Sequence, residues 1–347
     1  MRALQIVSWK TPPQIRDVPD PEPGPGEVVI KVAGAGACHS DLHLLHDFDE
    51  AVVPFRLPFT LGHENTGWVH ELGAGVRHLE IGEPVAVYGP WGCGMCARCR
   101  QGMENYCERQ AELGAAGGGL GLDGGMAPFM RVPSARWLVP LGDLNPIDAA
   151  PLTDAGLTPY HAVKRSLGFL TPGSHAVVIG VGGLGHLGVQ VLRAVSAARV
   201  IAVDTREDAL RLADKSGAEA TVLMSDSSAA EILEFTKGKG ADVVLDMVGV
   251  ESTIALATSV ARPLSHVTLV GIGGGSYPFS FFTVPYEASM TTTYWGSLPE
   301  LIEVIALAQA GHIRPTVARF GLDEAPGVYD QLAAGKISGR AVITPNG

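Results

Sequence analysis

The sequence has no basic run of five or more residues, no stretch of 18 uninterrupted apolar residues and only five cysteines. The first absence, with a formal net charge of −11, argues against nucleic acid and anionic membrane surfaces as partners. The second argues against a membrane-spanning helix, and residues 1–10 lack the apolar core of a signal peptide. A cytoplasmic location is therefore expected. Five cysteines in 347 residues make no disulfide framework. Internal repeats and low-complexity segments are missing as well. What remains is an apolar fraction of 46% and 44 glycines, which suit a globular enzyme rich in tight turns. The length suits two domains of about 150–200 residues each.

The cysteines divide unevenly. Cys93, Cys96, Cys99 and Cys107 fall within fifteen residues, and Cys38 stands apart. Three thiolates at intervals of three can wrap one ion, and a fourth closes a tetrahedron, which predicts a structural zinc. A bacterial ferredoxin run is the rival metal reading. It places its fourth cysteine after three residues with a proline behind, whereas here seven residues intervene and Glu108 follows. Cys38 opens the run Cys38-His39-Ser40-Asp41, and Gly62-His63-Glu64 follows about two dozen residues on. Cysteine and histidine are the side chains that zinc prefers, and a third ligand would leave one coordination position open for catalysis.

Taken in order, residues 1–10, 27–34, 67–72 and 84–88 read as short strands between Pro/Gly clusters, which predicts a β-rich, barrel-like first domain. Residues 145–165 look helical with an interruption at 152–156. Asp154 lies in that interruption among apolar and small residues, as an exposed cap or as a third metal ligand. Residues 175–179 form a buried-strand pattern. Gly180, Gly182, Gly183, Leu184 and Gly185 follow, then a helix with an apolar face, then Val200–Val203 and Asp204, 19 residues after Gly185. Strand, G-x-G-x-x-G, helix, strand and terminal acid together are a dinucleotide-binding fingerprint. Further strands at 220–222, 243–245 and 267–270 continue a parallel sheet to about residue 290. A helix over 298–310 and a strand over 340–344 then offer a tail able to rejoin the first domain.

With these residues assembled, the chain resembles the zinc-containing medium-chain alcohol dehydrogenases over essentially its whole length, most nearly the bacterial NAD-dependent secondary-alcohol enzymes. That family is itself a standard example of catalytic zinc, held there by two cysteines and a histidine. The resemblance implies an α/β protein: a GroES-like β-rich catalytic domain (1–155 and 291–347, with a structural-zinc lobe at 93–107) and a doubly wound Rossmann domain (156–290). It implies two zinc ions per chain. Cys38, His63 and Asp154 would hold the catalytic one, and the four clustered cysteines the structural one. Asp154 stands where many relatives carry a second cysteine, and Glu64 would be an alternate or neighbouring group for the metal. Ser40 would take the proton of the alcohol and His43 would pass it to solvent. His39, Thr158 and Arg340 would flank the cofactor.

The resemblance has two departures: the basic residue usual five positions after the ribose-binding acid is Ala209 here, which leaves Arg206 for adenosine contacts, and the cleft residues are of a kind that varies freely in the family. Tyr294 and Trp295, with Phe48 and Phe55, are candidate pocket walls. The implied reaction is reversible hydride transfer between a secondary or primary alcohol and NAD, giving ketone or aldehyde, in a homo-oligomer (dimer or tetramer). A polyol or formaldehyde dehydrogenase of the same fold is the alternative, and a catalytically silent NAD(H)-binding relative is the third reading. Asp204 predicts NAD over NADP.

Overall fold

The computed structural model describes all 347 residues. The chain divides into two compact units: Met1–Leu157, Trp295–Gln309 and Pro315–Gly347 form the first, and Thr158–Tyr294 with Ala310–Arg314 the second. No helix is long and apolar enough to cross a membrane.

The first unit is organised on the strand Val28–Ala37, which pairs antiparallel with Glu64–Leu72, Phe129–Val132 and Arg340–Thr344. Its apolar residues Val28, Val29, Ile30 and Val32 are buried, and only Lys31 faces solvent. The strand runs three residues past the expected 27–34. Gly34-Ala35-Gly36-Ala37 is poor in strand formers, but packing rather than propensity decides this stretch. A Cβ on Gly36 would lie 1.8 Å from Glu64 Oε2, so only glycine fits. The tail strand Arg340–Thr344 lies between Val28–Ala37 and Val317–Gly321, so residues far apart in sequence share one sheet. The first strand is shorter than 1–10: Arg2–Ile6 pairs with Gln14–Asp17 and Phe59–Thr60 in a separate three-stranded sheet. The interrupted helix is seen as Pro146–Ala149, capped by the Asn145 side chain, a tight turn Ala150–Thr153, and Leu157–Ser166.

The second unit is a six-stranded parallel sheet in the order Ala220–Leu223, Arg199–Asp204, His175–Ile179, Ala241–Asp246, Ala261–Leu269, Ser289–Thr292. Numbered along the sequence this is 3-2-1-4-5-6, the order of a dinucleotide-binding sheet. Val177, Ile179, Ile201, Val203, Val244 and Val267 fill its core. Continuous β-branched runs suit strands covered on both faces. Ser289-Met290-Thr291-Thr292, the sixth strand, was not expected. It is short, half-polar and at the sheet edge, so it carries no apolar pattern to read.

Candidate active site and metal centres

Cys38 ends the strand Val28–Ala37 and begins the helix His39–His46. His63 immediately precedes the strand Glu64–Leu72, which pairs with the first in register Gly36↔Glu64. Neighbouring strand ends therefore carry the two residues to one place. Asp154 follows the Ala150–Thr153 turn with φ −138° and ψ −61°. Cys38 Sγ lies 3.8 Å from Asp154 Oδ2, and His63 Nε2 lies 3.7 Å from the same oxygen. All three donor atoms are buried and fall within 4.8 Å of one another. Zinc bonds of 2.0–2.3 Å in a tetrahedron give ligand–ligand edges of about 3.3–3.8 Å, so the set fits one zinc ion with little contraction.

Electrostatics gives the same fit. Burial alone would disfavour a charged His63. The Asp41 carboxylate, with Asp154 and Cys38, outweighs burial and raises the imidazole well above its ordinary value. Carboxylates and a thiol gathered around one buried ring suit a bound cation. A thiolate and a carboxylate can neutralise a divalent ion.

Asp41 is a residue that pattern reading passed over. It occupies the third position of the helix, and its Oδ2 accepts the Cys38 N–H at 3.0 Å. That is the reaching-back half of a capping box, and it is the signal that could have exposed it. Its Oδ1 lies 3.0 Å from His63 Nδ1, an ion-pair contact without hydrogen-bond alignment, and neither atom has a hydrogen-bond partner elsewhere. A carboxylate on the outer nitrogen fixes the ring and leaves Nε2 as the ligand atom.

Glu64 and Arg340 form a second buried group. The guanidinium donates from Nε to Glu64 Oε2 at 2.8 Å and from Nη2 to Oε1 at 2.6 Å. Burial raises Glu64, and Arg340 opposes that shift. Arg340 Nη2 also lies 3.7 Å from Asp154 Oδ2. Arg340 was expected beside the cofactor; the residue is 3% exposed and its side chain is engaged by these carboxylates.

Ser40 Oγ is 3.5 Å from His63 Nε2. His43, one turn of helix on, has Nδ1 2.5 Å from Asp47 Oδ2 and stacks on Phe48. His39 is exposed; burial of part of its ring, then His43 and Arg340, hold its imidazole below the ordinary value. Trp295 stands edge-on to His63 with ring centroids 5.6 Å apart. Its φ is +54°, a backbone region that costs a non-glycine residue on the order of 1–3 kcal/mol. The indole N–H anchors it by donating to Thr153 O at 3.1 Å. Tyr294, its neighbour in sequence, is 47% exposed. Phe55 packs edge-on against Phe59.

In the lobe, Cys93, Cys96, Cys99 and Cys107 bring their sulfurs within 4.8 Å of one another. Backbone N–H groups point at three of them: Cys93 N to Cys107 Sγ at 3.3 Å, Cys96 N to Cys93 Sγ at 3.4 Å, and Cys99 N to Cys96 Sγ at 3.5 Å. Such donors favour thiolates. The amide of Cys99, then that of Glu108, pulls Cys96 down to about 6. Burial pushes Cys99 the other way. The donor set fits a closed four-thiolate zinc.

The second unit carries the fingerprint between His175–Ile179 and the helix Gly185–Val195. A Cβ on Gly185 would lie 1.9 Å from Gly180 O, so the helix start can press against the turn only with glycine there. A Cβ on Gly182 would meet nothing within 4 Å, so the space beside that backbone is open to a pyrophosphate. Asp204 ends its strand, with Oδ2 accepting Val181 N–H at 2.7 Å and Oδ1 accepting Arg206 N–H at 3.0 Å. The Arg206 side chain leans 3.6 Å from Asp208. Thr158 is buried at the start of the helix Leu157–Ser166.

Comparison with known proteins places these features in company. Residues 24–143 match the family model of the alcohol dehydrogenase GroES-like domain, and residues 183–310 that of the zinc-binding dehydrogenases. An NAD-dependent alcohol dehydrogenase of Sulfurisphaera tokodaii is 35% identical, covering 99% of this chain and 100% of that protein. A D-arabinose 1-dehydrogenase (NADP(+)) of Saccharolobus solfataricus is also 35% identical, covering 99% and 97%. Among solved structures, the alcohol dehydrogenase of Aeropyrum pernix superposes with a TM-score of 0.92 at 36% identity, covering 99% of this chain and 100% of that one.

Proposed function

The chain belongs to the zinc-containing medium-chain alcohol dehydrogenases, and on that premise we propose how its own residues divide the work of the reaction. It is an oxidoreductase that uses zinc and NAD, and its substrate is a small-molecule alcohol. When bound, the zinc supplies a Lewis acid that polarises the alcohol oxygen, and NAD supplies the hydride acceptor.

Cys38, His63 and Asp154 hold the catalytic zinc, and Cys93, Cys96, Cys99 and Cys107 the structural one. The observation that carries this assignment is the convergence of one sulfur, one ring nitrogen and one carboxylate oxygen, with Cys38 and His63 both 3.7–3.8 Å from Asp154 Oδ2. Ser40, whose Oγ lies 3.5 Å from His63 Nε2, would accept the alcohol's proton while giving up its own toward His43. His43, oriented by Asp47, delivers the proton to solvent. Trp295 is a rigid apolar wall beside the metal, and Tyr294 a more exposed neighbour. Glu64 and Arg340 balance charge around Asp154. Gly180, Gly182, Gly183, Leu184 and Gly185 cradle the pyrophosphate, with Thr158 beside the cofactor, and Asp204 receives the adenosine ribose.

A secondary alcohol is the favoured substrate. The Trp295 ring edge-on to His63 supports this over a polyol, which needs several convergent polar groups. Five unpaired cysteines, all of them gathered in metal-donor groups, support a reducing compartment, the cytoplasm. Self-association as a dimer or tetramer is supported by the apolar surface of Phe279, Phe281, Phe282 and Tyr286, which are 75%, 71%, 88% and 61% exposed. The edge strand Ser289–Thr292 follows it in sequence and offers a second copy an open edge.

The test is a panel of primary alcohols, secondary alcohols and polyols with NAD⁺, run beside metal analysis. The expected result is two zinc ions per chain and the highest kcat/KM for a secondary alcohol. A single zinc, iron in place of zinc, or turnover confined to polyols or sugars would overturn it. Light scattering reads the assembly: Phe281→Glu with Phe282→Glu should yield monomers, and a wild-type chain already monomeric would sink that part.

A further inference from the structure

The helix Ala325–Ala333 brings one more residue to the metal neighbourhood. Tyr329 is 3% exposed, and its phenolic O–H donates to Asp41 Oδ2 at 3.0 Å across a separation of 288 residues. The same oxygen accepts the Cys38 N–H, and the other oxygen faces His63 Nδ1. One buried carboxylate is thus shared by the backbone of one proposed ligand, the ring of a second, and a tyrosine. Burial, reinforced by the Asp41 charge, pushes the phenol well above its ordinary value, so the hydroxyl keeps its proton and acts as a donor. Its other neighbour is Met126 Sδ at 3.4 Å, a much weaker acceptor.

We propose that Tyr329 is a positioning residue for the catalytic metal: by holding the Asp41 carboxylate, it sets the direction of the His63 ring and of the Cys38 turn. The inference rests on Cys38, His63 and Asp154 being the zinc ligands. A buried carboxylate that loses one of its donors can rotate to recover another. Here a rotation short of a half-turn moves the acceptor away from His63 Nδ1. Groups behind metal-bound histidines typically govern metal affinity by 10–100-fold. Tyr329 stands one bond further out, so the lower end of that range is expected.

The experiment uses the full-length zinc protein with Tyr329→Phe, which removes one oxygen and keeps the ring. Transfer of the more labile zinc to a chromophoric chelator should be about tenfold faster than in wild type. The visible bands of the cobalt-substituted catalytic site should shift, while the four-cysteine zinc exchanges as before. Because Tyr329 acts through Asp41, adding Tyr329→Phe to Asp41→Asn should change the exchange rate little beyond Asp41→Asn alone. Fully additive effects overturn the proposal. So does a Tyr329→Phe protein that melts earlier yet keeps wild-type exchange and cobalt spectrum, since that is a packing role only. Cys38→Ser separates the two readings. If it abolishes the labile zinc while Tyr329→Phe exchanges normally, only the positioning role fails. If it leaves that zinc in place, the ligand assignment itself is wrong.

Discussion

His43 sits in the last turn of its helix with Asp47 against one ring nitrogen, an arrangement that holds the ring in one orientation. If this imidazole carries the alcohol's proton outward, His43→Gln should slow alcohol oxidation most at low pH, where external bases are scarce. Added imidazole should restore part of the rate. An unchanged pH–rate profile would mean that the proton leaves by another route. Asp47→Asn frees the ring to turn and should produce a smaller loss of the same kind. Cofactor choice is also decided by single residues. A 2′-phosphate would bring like charge beside Asp204, which costs about 4 kcal/mol per unit charge at 4 Å and an effective dielectric of 20. Arg206 could offset part of that, but its guanidinium leans toward Asp208. NAD should therefore be preferred over NADP by at least about 100-fold in kcat/KM, or about 2.7 kcal/mol. Asp204→Gly should close most of the gap. It should also raise KM for both cofactors, because the Asp204 bond to Val181 in the fingerprint turn is lost. Equal use of the two cofactors by the wild-type enzyme would contradict the weight placed on Asp204.

At the scale of elements, the 93–107 lobe is tied to its unit by Arg136, which donates to Cys99 O at 3.0 Å and pairs with buried Glu104, and by the Leu298 N–H to Gly102 O bond, but it has almost no regular structure of its own. Its helices Ala97–Arg100 and Glu104–Tyr106 are four and three residues long, too short to stand alone. Metal binding there is folding free energy. Cys96→Ser should lower zinc from two ions to one per chain and open the lobe to limited proteolysis, whereas Cys38→Ser should abolish turnover in a protein that stays folded. In the second unit, the strand Ala261–Leu269 carries His266, stacked on Phe169 with Nδ1 2.6 Å from Ser289 Oγ. Burial, then Arg165, lowers its imidazole below the ordinary 6.5. The unfolded chain therefore takes up this proton first, and stability falls as pH drops below about 6.5 and is flat above it. His266→Gln should flatten that part of the melting temperature–pH curve between pH 7 and 5. A slope unchanged by the substitution would assign the acid loss to other groups.

Across the whole molecule, what the sequence made legible was what lies within one local pattern. The four cysteines and the strand–glycine–helix–strand–acid run each fit within about thirty residues, and their chemistry could be read from spacing alone. Ala35–Ala37 could not be read as strand, because the reason for its being strand is Glu64 pressing on Gly36. Tyr329 and the Arg340–Glu64 pair were equally hidden as contacts, since no spacing rule connects residues 288 and 276 apart. The edge strand Ser289–Thr292 was missed for the opposite reason, having too little burial to leave an apolar trace.

The Arg340–Glu64 pair also bears on how the protein comes to hold its metal in a cell. A ribosome adding about 5–20 residues per second takes roughly 14–55 s to travel from Glu64 to Arg340, 276 residues later. Through that interval the nascent polypeptide already displays a thiol, an imidazole and then a carboxylate, while the arginine that balances Glu64 has yet to be made. Those side chains are open chelators during translation, and chelators without an imposed geometry follow the intrinsic affinity order of the transition ions, in which copper outranks zinc. The ion first captured is then set by the metals left unbuffered around the ribosome, and the buried Glu64–Arg340 pair beside the donor group can form only once the arginine has been added.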